Sequence, residues 1–592
     1  DRSVSRGLGD VYKRQNIYRC EVMKICANKN INFQRRLKPS EEAEYSDVLK
    51  QASKAGKKVL IVPASSLPNK TGVGNLGTDE SQIFFDFAKK YWGINEVQIL
   101  PTGQYHEHRG KYPIYSGTSM DLGNHVINLE YYTSEQIFPK NTDRVDFKNI
   151  IEENSQHERI IKKLYSEGKF KTEFENFKSE NSARLEPKAL YRALREINGT
   201  HDYRRWNDID KNLFALDAAE REKRISEIKK LKNETIDFYY YKQFLAEDSL
   251  KKAKENLNKN GIKLNGDMLC GFSYDEVWSN PKAFHKDSSI GWGLPALNFD
   301  TEEGEKLLRE KVKFYAERFD GFRVDAAWTY ANQPLIRNGN TERKYYADKI
   351  LNIIDDEVKK VKGSGFDLKN ITHEFATSTD NFNIYDGLYL KPYVAERMKI
   401  YTSDHLSDNW GSNKNFLERG WKPDCFIIGA SNHDSPKIEA TEEQAKTLSK
   451  ILKVPYKKLT SRKEFIKAKL AEPIRAENNM IYFMDALNLD SQNREQHFTT
   501  KIPDNYQEHY FKSLENGEGF NPMDALEKTF KSEGLDKKDP KLFKKIVKYR
   551  KILEQKEKQT SPILKWTCGV ICSGLIIYGF LKHYKRHHSD SI

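Results

Sequence analysis

The chain has 592 residues, of which 38% are hydrophobic and 31% are charged, with 99 lysines and arginines against 86 aspartates and glutamates. This balance excludes a fibrous protein, a disordered chain and a multi-span transporter, and the length allows one large domain with insertions. The net charge of +13 does not indicate nucleic-acid binding, because lysines alternate with glutamates along helical stretches such as 220–232 and 537–558, which is typical of solvated helix faces.

The first residues carry no pattern of a folded domain. Residues 1–15 resemble translated adapter sequence and Met23 is a candidate start. We therefore expect a non-native or disordered leader over 1–22 and an N-terminal extension over 23–56. The first forty residues contain no apolar run of secretory length, so the folded part of the chain is predicted to be cytoplasmic.

Eight short apolar runs, most of them ending in a polar or acidic residue, alternate with amphipathic helical patterns along the chain. They are 59–63, 96–101, 263–268, 321–326, 371–375, 398–403, 425–434 and 481–487. Eight such βα units predict a (β/α)8 TIM barrel, an α/β fold, built from 57–131 and 261–520. The mostly charged helical stretch 132–260 is predicted to be an insertion subdomain between strands two and three.

The C-terminal part differs from the rest of the chain. A Lys-rich helical pattern there leads to the uncharged stretch 566–581. We predict a charged helical stalk over 521–562, a transmembrane anchor over 563–582 and a basic tail over 583–592. An α-helix over the uncharged stretch covers about 24 Å of a hydrocarbon core of about 30 Å, and snorkelling of Lys565 lengthens the span. The alternative is a helix buried against the barrel.

Three acidic residues follow predicted strands: Asp325, Glu374 and Asp434. The carboxyl ends of barrel strands meet at one face, so these side chains are expected to share one cleft. A retaining glycosidase needs a carboxylate nucleophile and a second carboxyl group about 5 to 5.5 Å away. Arg323 lies two residues before Asp325, on the same face of the strand, where its cation would hold Asp325 ionised. The alternative is a buried Arg–Asp pair with a structural role only.

The motifs around these acids are Gly-Phe-Arg-Val-Asp at 321–325, Ile-Thr-His-Glu-Phe at 371–375 and Ala-Ser-Asn-His-Asp at 430–434. They resemble, in this order, the catalytic motifs of the alpha-amylase clan. Further segments resemble the 4-alpha-glucanotransferases of glycoside hydrolase family 77, also called amylomaltases or disproportionating enzymes: 63–77, 98–103, 115–129, 261–268, 275–281 and 292–295.

The resemblance implies retaining transfer of an alpha-1,4-glucan segment to a sugar 4-hydroxyl in glycogen or maltodextrin metabolism, with maltooligosaccharides as substrates and no cofactor. Asp325 would be the nucleophile, Glu374 the general acid/base, and Asp434 the group that stabilises the oxocarbenium-like state. The implied substrate-binding residues are Tyr115 and His433 at the donor sugar, Asp267 and Trp292 at neighbouring subsites, and Arg323 and Asn432 beside the acids.

Two motifs depart from the family. Ala-Ala-Trp-Thr-Tyr follows the nucleophile at 326–330, where the family usually carries His-Phe-Arg-Gly-Phe, and His-Glu-Phe replaces Ala-Glu-Asp-Leu-Gly at the acid/base strand. These departures bear on acceptor selection more than on bond cleavage. Hydrolysis of alpha-glucans and a catalytically impaired glucan-binding protein therefore stay open as alternatives.

No metal site is predicted. The six cysteines are scattered and include no Cys-x-x-Cys pair, so we expect neither a disulfide framework nor a zinc site. His106 and His108 have no third ligand at the usual spacing and are expected to be loop histidines.

Overall fold

A computed structural model describes residues 37–105, 113–135, 137, 144–147, 155–374, 400–402, 426–434, 438, 440–489 and 497–555. The predicted leader over 1–22 lies outside these residues. So do the predicted anchor and tail over 563–592, and His106 and His108.

The main sheet has eight strands, all parallel, with helices in the connections. Its strands are β1 (Lys58–Ile61), β2 (Glu96–Gln98), β3 (Lys263–Met268), β6 (Gly321–Val324), β9 (Ile371–His373), β10 (Ile400–Thr402), β11 (Phe426–Gly429) and β12 (Asn479–Tyr482). Their order is β10-β11-β12-β1-β2-β3-β6-β9, and the edge strands β9 and β10 also contact each other. This curled sheet has the arrangement expected of a TIM barrel.

Each predicted strand overlaps one strand of this sheet, although the last is misplaced. We predicted a strand over 481–487, whereas the structure has β12 at Asn479–Tyr482 and a short helix at Phe483–Leu487. The apolar run continues through both elements because Phe483, Met484 and Leu487 are buried as well. Apolar runs alone do not separate a buried strand from a buried helical turn.

The helices flank the sheet and fill the long connections. They are Pro39–Ala52, Asp79–Trp92, Gln156–Ser166, Lys171–Asn198, Asp208–Lys211, Ala218–Lys259, Tyr274–Ser279, Glu302–Arg318, Trp328–Ala331, Ala347–Lys362, Glu442–Leu452, Tyr456–Leu459, Arg462–Ala471, Phe483–Leu487, Tyr506–Glu515, Pro522–Glu533, Leu535–Lys538 and Pro540–Glu554. The four helices between β2 and β3, from Gln156–Ser166 to Ala218–Lys259, form a long helical connection. The Asp217 side chain caps the longest of them by accepting the Glu220 N–H.

A second sheet was not predicted. Four antiparallel strands in the order β5-β4-β7-β8 lie in the connections on either side of β6: β4 (Phe284–Ser289), β5 (Pro295–Leu297), β7 (Asn332–Arg337) and β8 (Asn340–Tyr345). Strand β8 is polar and largely exposed, so the sequence offers little apolar alternation by which to find it.

The prediction of a C-terminal stalk is wrong for the residues that the structure describes. The helices Pro522–Glu533 and Pro540–Glu554 pack on each other and on the N-terminal helix Pro39–Ala52. Phe530, Tyr549 and Leu553 are buried there. Their apolar side chains, spaced among the lysines, form a face that belongs to the core of the domain.

The prediction of a membrane protein is also corrected. Among the residues described, no helix is both long enough and apolar enough to cross a bilayer. The segment 563–582, on which that prediction depended, lies outside the described part of the chain. We therefore withdraw the transmembrane helix and the membrane association.

Candidate active site

Arg323 lies at the centre of the site. It is on β6, where its side chain is 1% exposed, and Asp325 follows at the carboxyl end of the same strand. The register pairs Arg323 with Asp267 of β3 on one side and with Thr372 of β9 on the other. Because the strands are parallel, residues at their carboxyl ends meet at one rim of the sheet.

Four carboxylates contact the Arg323 guanidinium, and we call these five residues the Arg323 cluster. Nη1 donates to both carboxylate oxygens of Asp267, at 2.7 and 2.8 Å. Nη2 lies 3.1 Å from Asp325 Oδ1, 2.7 Å from Glu374 Oε2 and 3.4 Å from Asp434 Oδ2. The structure thus brings together the three acids that the sequence analysis assigned to catalysis.

The four carboxylates differ in exposure. The Asp434 side chain is 45% exposed, that of Glu374 is 22% exposed and that of Asp325 is 13% exposed, whereas that of Asp267 is fully buried. Three of the four acids are therefore partly exposed to solvent. Asp267, which we expected to line a sugar subsite, lies beneath Arg323 in this structure.

Tyr115 and His433 form one wall of the cluster. The Tyr115 hydroxyl donates to Asp267 Oδ2 at 2.8 Å and lies 2.6 Å from His433 Nε2, and the two rings are stacked with centroids 5.7 Å apart. His433 Nε2 is also 3.2 Å from Asp434 Oδ2. The Asn432 side chain accepts the Asp434 backbone N–H at 2.9 Å and so fixes the turn that presents the acid.

Trp292 lies in a different setting from the cluster. It is on the connection between β4 and β5, in a left-handed conformation with φ +49°, and 68% of it is exposed. The role of Trp292 at a sugar subsite therefore stays a prediction.

The Glu374 carboxylate accepts a second hydrogen bond, from a backbone N–H, that the sequence analysis missed. The Ala326 N–H donates to Glu374 Oε2 at 2.8 Å, while the Glu374 N–H donates to the Val324 carbonyl at 3.1 Å. Ala326 adopts φ +41°, which is unfavourable for a residue with a Cβ. The departure from the family motif begins at Ala326, and this departure was the sequence signal that could have pointed to the contact with Glu374.

Burial raises the pKa of Asp325 well above its usual range, and the negative charges of Glu374, Asp267 and Asp434 raise it further. Arg323 acts in the opposite direction. We expected Arg323 to hold Asp325 ionised, and the contact is present, but burial and three acidic neighbours outweigh one shared cation. Burial likewise raises the pKa of Asp267. Burial and the acidic neighbours therefore oppose the ionised form of Asp325, and Arg323 favours it.

The described part of the chain contains no group of three or more His, Cys, Asp and Glu side chains arranged to hold a metal ion. The polar groups of the site are carboxylates around a guanidinium, which competes with any cation for them.

Comparison with known proteins gives the family. The family model described as 4-alpha-glucanotransferase, glycoside hydrolase family 77, matches residues 62–410, more than half of the chain. A 4-alpha-glucanotransferase of Streptococcus pneumoniae is 26% identical over 303 residues, which cover 45% of this chain and 57% of that protein. A 4-alpha-glucanotransferase of Clostridium butyricum is 27% identical over 447 residues, which cover 64% of this chain and 85% of that protein. The chain thus spans little more than half the length of the pneumococcal relative.

Two solved structures share the fold. The amylomaltase from Streptococcus agalactiae in complex with acarbose aligns with a TM-score of 0.59 at 16% identity, covering 79% of this chain and 100% of that one. The amylomaltase from Corynebacterium glutamicum aligns with a TM-score of 0.52 at 12% identity, covering 86% of this chain and 76% of that one. With the match of the family model, these findings show that the chain belongs to the 4-alpha-glucanotransferase family, glycoside hydrolase family 77.

Proposed function

We propose that this chain is a 4-alpha-glucanotransferase that moves a segment of an alpha-1,4-glucan to the 4-hydroxyl of an acceptor sugar with retention of configuration. The observation that carries the proposal is the meeting of Asp325, Glu374 and Asp434 from three strand ends around Arg323. Family membership supports the same activity, since the relatives named above are 4-alpha-glucanotransferases.

The spacing of two carboxylates supports retention. Asp325 Oδ1 and Glu374 Oε2 contact the same Arg323 nitrogen, at 3.1 and 2.7 Å. The two oxygens therefore lie within about 6 Å of each other, close to the roughly 5 to 5.5 Å of retaining enzymes and below the roughly 6.5 to 9.5 Å of inverting ones.

The proposed reaction has two displacements. In the first, an Asp325 oxygen bonds to the anomeric carbon, the bond to the leaving oxygen breaks, and Glu374 gives that oxygen its proton. In the second, the Glu374 carboxylate takes the proton of the acceptor 4-hydroxyl, whose oxygen bonds to the anomeric carbon and releases Asp325. Each acid ends the cycle in its starting protonation state.

The other residues prepare these steps. Asp434 is the most exposed acid of the cluster, and His433 Nε2 contacts its carboxylate. This pair is therefore placed on the donor side, where it can bind sugar hydroxyls and balance the positive charge of the transition state. Asp267 and Tyr115 orient Arg323 from below. Tyr115 and Trp292 supply the aromatic faces.

The proposed transfer reaction and the related proteins together indicate the substrate. The structure of the Streptococcus agalactiae amylomaltase contains acarbose. We propose alpha-1,4-glucans and maltooligosaccharides as donors and acceptors for this chain.

Incubation with maltotriose tests the proposal, with separation of products by chromatography. A ladder of longer and shorter oligosaccharides is the expected result, because transfer makes both. Glucose and maltose alone would mean hydrolysis, and unchanged maltotriose would contradict an enzyme of this class. The variant Asp325→Asn, assayed in parallel, shows whether the ladder arises at this site.

A further inference from the structure

Lys311 is a buried lysine behind the catalytic rim that the proposed reaction does not use. It lies on the helix Glu302–Arg318, its residue exposure is 0%, and its ammonium group sits 4.0 Å from the centre of the Phe272 ring. Among the residues described, this ammonium group has hydrogen bonds to two uncharged oxygens and no ion pair. Burying an ammonium group without a counterion is unfavourable, so its position calls for a role.

The ammonium group of Lys311 binds the loop that follows β3. Nζ donates to the Gly271 carbonyl at 2.6 Å and to the Tyr330 hydroxyl at 3.3 Å. The Tyr330 hydroxyl in turn donates to the Leu269 carbonyl at 3.1 Å. Two carbonyls of one short loop, those of Gly271 and Leu269, are thus held by Lys311, the first directly and the second through Tyr330.

This loop touches the nucleophile. The Cys270 N–H donates to Asp325 Oδ2 at 3.4 Å. The Leu269 carbonyl and the Cys270 N–H belong to the same planar peptide group, in which they point in opposite directions. Fixing the carbonyl from behind therefore aims the N–H at Asp325.

We propose that Lys311 is a positioning residue for the nucleophile, acting through Tyr330 and the peptide that joins Leu269 to Cys270. The four groups form one chain of hydrogen bonds from a buried cation to the Asp325 carboxylate, in which each bond polarises the next. Arg323 is divided among four acids, so this N–H is a second donor that favours the ionised form of Asp325. The inference rests on the proposed function, because it assigns Asp325 the role of nucleophile.

The chain of hydrogen bonds has a pH dependence that a purely structural contact lacks. Burial lowers the pKa of Lys311 to about 8, with nearby acidic groups opposing the shift. The titratable groups that face Lys311 from the elements around it are Glu276, Cys270, Asp325, Lys188 and Tyr330. Loss of the ammonium proton weakens its two hydrogen bonds, and turnover should fall as pH rises through that value.

Three single variants test the inference with maltotriose as substrate between pH 5.5 and 9.5. Lys311→Met removes the cation, Tyr330→Phe removes one hydroxyl of the relay, and Lys362→Met is the matched control. Lys362 donates to the Phe319 carbonyl at 2.6 Å, at the end of β6 opposite the catalytic rim, and burial lowers its pKa too.

We expect Lys311→Met to reduce kcat about tenfold or more at pH 7 with KM changed less than about threefold, the size of effect given by one lost electrostatic contact. Its kcat/KM should lack the decline near pH 8 that the wild type shows. Tyr330→Phe should lower kcat in the same way, while Lys362→Met should keep the wild-type rate and pH profile.

Two results would overturn the inference: kcat of Lys311→Met and Tyr330→Phe within twofold of wild type, or an unchanged decline near pH 8 in Lys311→Met. If Lys311→Met does not fold, Tyr330→Phe decides, since it deletes a single oxygen. Failure of the proposed function is a separate outcome, because then the wild type itself leaves maltotriose unchanged.

Discussion

Two buried groups of charged side chains lie close together in this molecule, and they differ in the ratio of cations to carboxylates. In the Arg323 cluster one cation contacts four carboxylates, three of which reach solvent. The second group, which we call the insertion network, consists of Lys188, Arg192, Asp121, Asp275 and Glu276. Lys188 Nζ contacts Asp275 at 3.0 Å and Glu276 at 2.9 Å, and Arg192 contacts Asp121 at 3.1 Å.

The insertion network also supplies neutral donors to its acids. Ser119 donates to Glu276 at 2.6 Å, and the Tyr239 hydroxyl donates to Asp121 at 3.1 Å. Burial alone would lower the pKa of Lys188, yet Asp275 and Glu276 raise it well above its usual range. In the Arg323 cluster it is the pKa of the acid Asp325 that rises. The insertion network has two cations for three acids, whereas the Arg323 cluster has one cation for four, so the larger excess of acid disfavours the ionised form of Asp325.

The largest expected effect comes from Asp325→Asn, which removes the nucleophile and one excess charge. We expect kcat/KM to fall by about 10³-fold or more, because no covalent intermediate can form. Because the fold disfavours the ionised form of Asp325, the free energy of unfolding at pH 8 should equal or exceed that of the wild type. Assays with maltotriose and denaturant titrations measure both. A variant that retains more than about a hundredth of the rate removes Asp325 from its role.

Glu374→Gln should be nearly as severe on natural substrates, with a loss of about 10² to 10⁴-fold, because the proton for the leaving oxygen is missing. A donor with a good leaving group, such as a maltosyl fluoride, needs little protonation, so the first displacement should recover much of its rate. Presteady-state release of fluoride measures that step. Equal losses on both donors would contradict the acid role of Glu374.

Lys188→Met tests whether the insertion network stabilises the fold. It leaves two buried carboxylates without their cation, so we expect the free energy of unfolding to fall by about 3 to 5 kcal/mol. The rate per folded molecule should stay within about twofold of wild type. The control Lys229→Met removes the exposed ion pair with Glu186, which should change stability by less than about 1 kcal/mol. Equal effects of the two variants would mean that the network contributes little.

The sequence predicted the Arg323 cluster better than the insertion network. Strand-end acids and an arginine two residues before Asp325 have a fixed spacing that a barrel translates into one cleft. Lys188 and Lys311 lie in helices where lysines and glutamates alternate, so nothing local separates a buried lysine from a solvated one. The same ambiguity hid the packing of Pro540–Glu554 and led to the predicted stalk. Burial of a long charged side chain depends on tertiary contacts.

The smallest expected effect concerns acid stability near the insertion helices. His157, on the helix Gln156–Ser166, is buried with Nε2 3.3 Å from the Ile127 carbonyl, and burial lowers its pKa from 6.5 to about 4. The unfolded chain therefore binds one more proton than the folded chain between these pH values. This contribution to stability is complete above pH 6.5 and is lost as pH falls toward 4, by about 1.4 kcal/mol per pH unit.

His157→Gln isolates that contribution, because glutamine keeps a donor but binds no proton. The free energy of unfolding of the wild type should fall more steeply than that of the variant between pH 6.5 and 4, by about 1.4 kcal/mol per unit. Glu130, whose pKa burial raises to about 7, acts in the opposite direction in both proteins and cancels in the difference. Urea titrations at four pH values give the two slopes. Parallel slopes would show that folding does not lower the pKa of His157.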